Sequence, residues 1–170
     1  KPVEFVAREL TDVDVPWCVA SGWGLDLLLG KPTRYHADLD VCIWRGDQQP
    51  FLKHLKMRGW DLHVPVEGKY RPWQEGEFLE LPLVQVHGRR DDMPFELLDI
   101  LLAEHDDVNW IYRREPKITM PKDKVMLEAR GIPILNPAIT ILFKSRTADK
   151  EPRGKDQRDF EGMLSSLNRE

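Results

Sequence analysis

The sequence predicts an α+β fold in which a mixed β-sheet is flanked by helices. Segments in which apolar and polar residues alternate, as in half-buried strands, are concentrated in the middle of the chain, whereas apolar residues at helical spacing are found towards its two ends. The length of 170 residues suits one compact domain, and 41% hydrophobic residues are enough for a core of ordinary size. We therefore expect a single domain over residues 1–170, with a C-terminal helical part over residues 136–170.

The first half of the chain predicts alternating helices and strands. Apolar residues recur at helical spacing near the beginning, Gly30 and Gly59 follow helical segments as helix ends do, and Asp47 stands where an N-cap is expected. Ser21 and Gly22 break the first strand. In chain order we predict a helix over about 2–10, a strand over 15–20, a helix over 23–29, a loop over 31–35, a strand over 38–44, a helix from Asp47 to about residue 58, and a strand over 60–64.

The second half predicts further strands and closes with helices. Residues 65–76 are rich in proline, glycine and charge, which is typical of a loop. Asn136 followed by Pro137 is a good helix start, because asparagine caps the first turn and proline suits the first helical position. We predict an antiparallel pair of strands over 78–87 and 94–102 joined by a polar turn over 88–92, shorter strands over 110–113 and 125–135, a helix over about 136–146, a charged loop over 147–154, and a final helix over 155–167.

Charge and hydropathy argue against several classes of function. The formal net charge of −4 is unlike the basic excess of a general nucleic-acid-binding protein, although a local basic groove stays open as an alternative. No apolar run approaches the roughly 20 residues that cross a bilayer. No signal-peptide pattern is present either, so we expect a cytoplasmic protein without a membrane partner.

Cysteine and tryptophan residues predict core positions. Cys18 and Cys42 lie inside apolar runs and are predicted to be buried thiols in neighbouring strands. Most of the six tryptophans are expected in the core, because indole rings dominate burial. Trp73 lies in the loop predicted over 65–76 and is therefore also a candidate for stacking on a base or an acceptor ring.

Asp38 and Asp40 form the strongest candidate site. Side chains two residues apart on a strand point to the same face, so the two carboxylates lie side by side within an apolar strand. Adjacent carboxylates repel each other and raise a pKa unless a cation offsets their charge. Mg²⁺ does so with a few carboxylate oxygens, and it shares its remaining positions with water and substrate phosphates. Asp-x-Asp is a frequent triplet, however, and an edge strand with a wet polar face also fits it.

The residues that precede this strand favour the metal site. Ser21 and Gly22 lie at a strand-to-helix turn, whose backbone N–H groups can bind phosphate oxygens. Thr33, Arg34 and His36 lie in the loop that enters the strand. Arginine suits bidentate phosphate contact, and histidine can donate to phosphate or orient a carboxylate. An anion-binding turn, a basic loop and a metal-binding strand thus fall within 20 residues, which predicts a polyphosphate site.

The same 20 residues resemble a known family. The run SGWGLDLLLGKPTRYHADLD, from Ser21 to Asp40, is similar to the signature of the aminoglycoside 2″-adenylyltransferase-like family within the DNA polymerase β nucleotidyltransferase superfamily. That signature reads Gly-Gly-Trp, Asp three residues after Trp, Gly, Thr-Arg, His and Asp-x-Asp, and Ser21 replaces its first glycine. Further similar blocks lie at residues 97–102, 110–114, 131–133 and 136–137, at Lys144, and at residues 155–160.

This resemblance implies a polymerase-β-like nucleotidyltransferase. The expected cofactor is Mg²⁺, the expected donor is ATP or another nucleoside triphosphate, and the expected acceptor is a small hydroxylated molecule such as an aminoglycoside or lincosamide. Lys144 and Lys155 are candidates for phosphate or nucleotide contacts from the helical side, although lysines on helix surfaces are usually solvated. Asp26 is expected to brace the loop that contains Arg34 rather than to bind metal.

Two acids, Glu96 and Asp99, are candidates for a third carboxylate. Strand alternation puts them on opposite faces, and parity does not choose between them. Asp99 has apolar residues on both sides and matches the family position, so we favour Asp99 and keep Glu96 as the alternative. Asp99 would share a second metal or accept the proton of the attacking hydroxyl. A purely structural role, as a buried acid paired with Arg or Lys, also stays open.

Two other functions fit the same residues. One is a different Mg²⁺-dependent phosphotransfer or hydrolysis that uses the same carboxylates. The other is a nucleotidyltransferase-like binding module without catalysis, such as one component of a toxin–antitoxin or regulatory pair. The identity of the acceptor, the nucleobase preference and the oligomeric state are open at this stage.

Overall fold

A computed structural model describes residues 1–145, 154, 157–159 and 161–162 of this chain. The helices are α1 (Pro2–Glu9), α2 (Ser21–Leu29), α3 (Gln48–Met57) and α4 (Pro137–Lys144). The strands are β1 (Trp17–Val19), β2 (Asp38–Trp44), β3 (Asp61–Val66), β4 (Lys69–Pro72), β5 (Gln85–Arg89), β6 (Leu97–Ala103), β7 (Asn109–Ile111), β8 (Thr119–Pro121), β9 (Met126–Ala129) and β10 (Ile132–Leu135). None of the helices in these ranges has the length and apolar character needed to cross a bilayer.

A mixed β-sheet is the centre of the fold. Among the described residues, eight strands form this sheet in the order β4-β3-β5-β6-β2-β1-β10-β9, and β7 pairs with β8 in a small second sheet. β2 runs parallel to β6 and β1 runs parallel to β10, while β1 and β2 are antiparallel. The predicted α+β fold with a mixed sheet is confirmed.

Alternation along β2 separates the two faces of the sheet. Leu39, Val41 and Ile43 are fully buried on one face, within the larger apolar core to which α1 and α3 contribute. Asp40 and Cys42 lie on the other face, where a smaller apolar cluster that includes α4 covers the end of the strand near Cys42. The part of this second face nearer the start of β2 is open, and it carries the acids.

Two segments that were predicted as a loop and as one strand are hairpins instead. Residues 65–76, predicted as a loop, contain the end of β3 and all of β4, joined at Glu67 and Gly68. Residues 125–135, predicted as one strand, form β9 and β10 around Arg130 and Gly131. Both turns place two successive residues at positive φ (49° and 77°, then 55° and 75°), which is the geometry that matches the twist of a two-residue hairpin. β8 was not predicted.

The strand predicted over 78–87 is shorter and lies later in the chain. Only Gln85–Arg89 is extended, and Gly88 and Arg89, predicted as a turn, pair with β3. The backbone around Leu79 bonds to side chains: its N–H donates to Gln48 Oε1 at 2.6 Å and its carbonyl accepts from Gln48 Nε2 at 3.0 Å and from Arg45 at 2.8 Å. These side chains satisfy the groups that a sheet neighbour would otherwise satisfy.

Predictions about the core are confirmed except for Trp73. Cys18 and Cys42 are buried free thiols, paired directly across β1 and β2. Trp73 is only 2% exposed and belongs to the main core, so the suggestion that it stacks on a ligand ring is wrong. The hairpin of β3 and β4 folds this part of the chain back onto the sheet, which is why the indole reaches the core.

The C-terminal helical part is described only in its first helix and a few later residues. Asn136 caps α4 as predicted, since its side-chain oxygen accepts a hydrogen bond from Ala138 N at 2.9 Å. Gln157, Arg158 and Asp159 are helical. Residues 147–153 of the predicted loop and most of the helix predicted over 155–167, including Lys155, lie outside the described residues, whereas Gly154, predicted in the loop, is helical.

Candidate active site

Three acids meet on the open face of the sheet. Asp40 on β2 lies directly beside Asp99 on the parallel strand β6, and Asp38 lies two residues before Asp40 on the same face. Neighbouring strands are about 4.8 Å apart, so the carboxylates of Asp40 and Asp99 occupy adjacent positions. Glu96 precedes β6, is exposed, and accepts a hydrogen bond from Tyr35 Oη at 3.1 Å. The geometry therefore favours Asp99 over Glu96 as the third acid.

The surroundings of Asp99 disfavour the ionised form of its carboxyl group. Burial, and then the negative charges of Asp40 and Asp38, raise the pKa of the Asp99 carboxyl to about 8. Among the described residues, its buried Oδ1 has no hydrogen-bond partner. His87 Nε2 lies 3.6 Å from this oxygen, which is too far for a hydrogen bond. Burial, and then the charge of Arg89, lower the pKa of His87, so the neutral imidazole that they favour does not offset the acids.

These acids suit a divalent cation whose remaining ligands are supplied by the substrate and by water. In the described part of the chain, no three or more acidic, histidine or cysteine side chains converge closely enough to enclose an ion unaided. Three carboxylates that repel one another, one of them with a buried unsatisfied oxygen, are the donor set that Mg²⁺ prefers when phosphate oxygens and water supply its other ligands. Asp38, Asp40 and Asp99 would hold the ion.

The N-terminus of α2 lies in the same pocket as the acids. Ser21 and Gly22 are the first two residues of this helix, rather than a turn before it, and Ser21 has a positive φ of 53°. The preceding residue, Ala20, offers no side-chain acceptor, so the first N–H groups of the helix are available to an anion. Ser21 thus adopts, at some cost in strain, the left-handed backbone that suits the glycine of the family signature.

Asp26 organises the loop between α2 and β2. One carboxylate oxygen accepts from Thr33 N at 3.1 Å and from Thr33 Oγ1 at 2.6 Å, while the other lies 2.9 Å from His36 Nε2. His36 is buried and packs on Trp23, whose indole N–H donates to the carbonyl of Asp38 at 3.1 Å. Asp26 therefore braces the loop as expected, and the side chains of Thr33 and His36 hold the loop in place rather than pointing freely at a ligand.

Replacing Gly22 by alanine is expected to destabilise the protein by about 1–3 kcal/mol. A Cβ at this position would lie 2.2 Å from His36 Cε1 and 2.4 Å from His36 Nδ1, and Asp26 holds that imidazole in place. Urea unfolding of Gly22→Ala measures the effect. Gly154→Ala is the matched control, because a Cβ there would meet nothing within 4 Å. Equal stability of the two variants would contradict the packing described here.

Arg34 and Lys144 share one buried carboxylate. Arg34 donates through Nε and Nη2 to the two oxygens of Asp159, at 3.1 and 3.2 Å, and Lys144 Nζ lies 2.7 Å from Asp159 Oδ2. The Asp159 side chain is only 1% exposed. Burial raises the pKa of Asp159, but the hydrogen bonds from Arg34 and Lys144 outweigh it, and the pKa lies below its usual value. This pairing fixes both cations at the edge of the acid-lined pocket.

Asp159→Asn is expected to cost about 3 kcal/mol of stability at pH 7, because it leaves two partly buried cations without their shared anion. The ionised form of Asp159 is favoured in the folded state, so its contribution is present above the unfolded pKa and is lost as pH falls. The difference in the free energy of unfolding between wild type and Asp159→Asn should therefore shrink as pH falls below about 4. Denaturant unfolding at several pH values measures it, with the exposed Asp107→Asn as control. A difference that grows on acidification would refute this pairing.

The structure brings most of the predicted site residues into one pocket. A polar pocket of about 500 Å³ is lined by Ser21, Gly22, Arg34, Tyr35, His36, Ala37, Asp38, Asp40, Gln85, Asp99, Leu101 and Lys144. Thr33 does not line this pocket, and its hydroxyl donates to Asp26. Sequence reasoning did not single out Gln85 and His87, although both lie on a predicted strand two residues apart. Asp159 belongs to the segment 155–160 that resembles the family, but this acid was not predicted to be part of the site.

Comparison with known proteins identifies the family and the fold. A family model described as aminoglycoside-2″-adenylyltransferase matches residues 3–163. The lincomycin-bound structure of the lincosamide antibiotic adenylyltransferase LnuA has a TM-score of 0.66 at 18% identity, over 96% of this chain and 95% of that chain. ANT(2″)-Ia in complex with adenylyl-2″-tobramycin has a TM-score of 0.61 at 16% identity, over 97% and 87%. An antigenic nucleotidyltransferase-like protein from Paracoccidioides brasiliensis has a TM-score of 0.52 at 17% identity, over 96% and 74%. A search of curated protein sequences finds no match.

The mixed sheet flanked by helices, which these solved structures share, defines a polymerase-β-like nucleotidyltransferase fold. In this chain the sheet carries paired aspartates beside a helix N-terminus. The chain belongs to the aminoglycoside-2″-adenylyltransferase family, whose model covers nearly all of it, and it is a nucleotidyltransferase.

Proposed function

We propose that this chain transfers AMP from ATP to a hydroxyl group of a small molecule in a Mg²⁺-dependent reaction. The observation that carries the proposal is the charge arrangement of the polar pocket. Asp38, Asp40 and Asp99 form one side of it, and Arg34 and Lys144 contribute cations at another. A metal-bound polyphosphate is a ligand that satisfies both sides at once.

The triphosphate would lie between α2 and the acids. The N–H groups of Ser21 and Gly22 would receive phosphate oxygens, and Arg34 and Lys144 would add positive charge while Asp159 holds them in place. We propose Lys155 as a further nucleotide contact from the helical side.

An adjoining cavity offers a place for the nucleobase. It has a volume of about 210 Å³ and shares Ser21, Gln85, Leu101 and Lys144 with the polar pocket. Trp110, Phe143 and Ile139 give it apolar walls. The apolar cavity would hold the flat nucleobase, and the polar pocket beside it would hold the phosphates.

The chain's own groups account for positioning and proton transfer. Bound Mg²⁺ would neutralise charge that develops on the phosphates. Asp99, ionised beside a cation, would accept the proton of the acceptor hydroxyl. The hydroxyl oxygen forms a bond to the α-phosphorus while the bond between that phosphorus and the bridging oxygen of the leaving group breaks, so that pyrophosphate departs. The products are the adenylylated acceptor and pyrophosphate.

The acceptors to test first are those that its family and neighbours suggest. Aminoglycosides and lincosamides are hydroxylated antibiotics, and such a transfer would take place in the cytoplasm, where ATP and Mg²⁺ are present.

A transfer assay tests the proposal. Wild-type protein is incubated with α-labelled ATP, Mg²⁺ and a panel of hydroxylated acceptors that includes tobramycin and lincomycin. We expect a labelled acceptor together with pyrophosphate. Release of inorganic phosphate instead would indicate hydrolysis or another phosphotransfer. Binding of the Mg²⁺–nucleotide without any turnover on a broad panel would favour a non-catalytic module.

A further inference from the structure

Asp99 and His87 face each other across two neighbouring strands. β5 and β6 pair in antiparallel register with His87 directly opposite Asp99, so the two side chains lie on the same face of the sheet. Gln85 lies two residues before His87 on β5 and also faces this side, and it lines both the polar pocket and the adjoining cavity. The three side chains are therefore neighbours at the wall of the candidate active site.

Two buried atoms of this group have no hydrogen-bond partner among the described residues. They are Oδ1 of Asp99 and Nδ1 of His87. The other ring nitrogen of the imidazole, Nε2, lies 3.6 Å from Asp99 Oδ1 and 3.1 Å from Gln85 Nε2. The imidazole is held in this place, because its side chain is only 11% exposed and the ring of Tyr70 packs on it at 5.4 Å. His87 can therefore satisfy Asp99 only through Nε2.

The position of the hydrogen on the neutral imidazole decides how many of these atoms stay unsatisfied. Only one ring nitrogen carries a hydrogen in this form. A hydrogen on Nδ1 meets no acceptor in the described part of the chain, and Asp99 Oδ1 then meets no donor. A hydrogen on Nε2 has two acceptors within reach, Asp99 Oδ1 and the oxygen of the Gln85 amide after a half-turn of that amide. Only the lone pair of Nδ1 is then left without a partner, so the surroundings favour the hydrogen on Nε2.

We propose that His87 is a positioning residue for Asp99, and that its Nε2–H donates to Asp99 Oδ1 once the Mg²⁺–nucleotide is bound. The proposal rests on the function proposed above. An ionised carboxylate is a stronger acceptor than the Gln85 amide, so it takes the hydrogen. The distance has to shorten only from 3.6 Å to about 2.9 Å, and hydrogen bonds at active sites often tighten when substrate binds. With Oδ1 fixed in this way, Oδ2 is left to face the polar pocket and the acceptor hydroxyl.

Two substitutions at His87 test this role, because they place an amide at different ends of the former ring. Glutamine carries its amide nitrogen near the position of Nε2, whereas asparagine carries it near that of Nδ1. With the best acceptor from the transfer assay and saturating Mg²⁺, we expect His87→Asn to lower kcat at least about 10-fold while KM for ATP changes less than about 3-fold. His87→Gln should stay within about 3-fold of wild type in kcat. His63→Asn is the matched control, since His63 pairs with His87 on the next strand and does not line the polar pocket.

A double substitution and a spectrum separate positioning from a purely structural effect. In an Asp99→Asn background, His87→Asn should lower the rate by less than about 2-fold more, because the carboxylate that His87 positions is already absent. Long-range proton–nitrogen correlation spectra show which imidazole nitrogen carries the hydrogen, and the spectrum of His87→Asn assigns the His87 signals. In protein saturated with Mg²⁺ and α,β-methylene-ATP, which does not react, we expect the hydrogen on Nε2.

Four results would overturn the proposal. They are a hydrogen on Nδ1 of His87 in this complex, a His87→Asn variant as fast as wild type, equal losses of kcat in His87→Asn and His87→Gln, and full additivity of His87→Asn with Asp99→Asn. If wild type transferred nucleotide to none of the acceptors, the proposed function would fail instead, and the spectrum would still decide where the hydrogen of His87 lies.

Discussion

Asp38→Asn and Asp40→Asn are each expected to lower nucleotidyl transfer by at least about 10³-fold without disrupting the fold. Stabilisation of phosphate charge by a metal is worth several kcal/mol, and each 1.36 kcal/mol corresponds to a factor of about ten in rate. Loss of either carboxylate removes a ligand that holds the ion. Transfer from α-labelled ATP, measured at saturating Mg²⁺, gives the activity of each variant.

Stability measurements separate this effect from misfolding. Asp40 and Asp38 both raise the pKa of Asp99, so removing one of these charges relieves repulsion and should leave the free protein as stable as wild type or more so. A ligand present at 100 times its Kd stabilises a protein by about 2.7 kcal/mol. Mg²⁺ and ATP should stabilise the wild type in this way, and neither variant should be stabilised by them. The exposed Asp12→Asn is the matched control and should behave like wild type in both assays. Full transfer activity in either site variant would rule out the metal assignment.

Asp99→Asn is expected to lower activity and raise the stability of the free protein. As the proton acceptor, Asp99 should contribute about 10²–10⁴-fold to the rate. In the free protein, however, its pKa is raised to about 8 by burial and by Asp40 and Asp38, compared with an ordinary value of 3.8. Each unit of that difference corresponds to about 1.4 kcal/mol, so ionising Asp99 in the folded state costs on the order of several kcal/mol.

The pH dependence of this stability has a defined sign. Between about pH 4 and pH 8, the unfolded chain has released the Asp99 proton while the folded chain retains it, so the free energy of unfolding falls as pH rises. Asparagine has no proton to release, and the advantage of Asp99→Asn over wild type should therefore grow up to about pH 8 and then level off. Urea unfolding without Mg²⁺ measures this advantage. Glu96→Gln is the matched control. If Glu96→Gln rather than Asp99→Asn abolished transfer, Glu96 would be the third carboxylate.

The helices, the central strands and the paired aspartates were predictable because they depend on local pattern. The bounds of β2 are as predicted, since Leu39, Val41 and Ile43 alternate with Asp38, Asp40 and Cys42 along the strand. Asn136 caps α4 as predicted, because its cap bond is made within two residues. The hairpins at Glu67 and Arg130 were missed because their turns depend on positive φ at residues other than glycine, which composition does not indicate.

The sequence alone was enough to establish a nucleotidyltransferase of α+β fold with two aspartates side by side on one strand. Only the tertiary structure decided that Asp99 lies beside Asp40 and that Arg34 and Lys144 share Asp159. The physical reason is the range of the interactions. Strand alternation and capping act over a few residues, whereas strand register and the pairing of Arg34 with Asp159 join residues that are far apart in the chain and become neighbours only when the sheet forms.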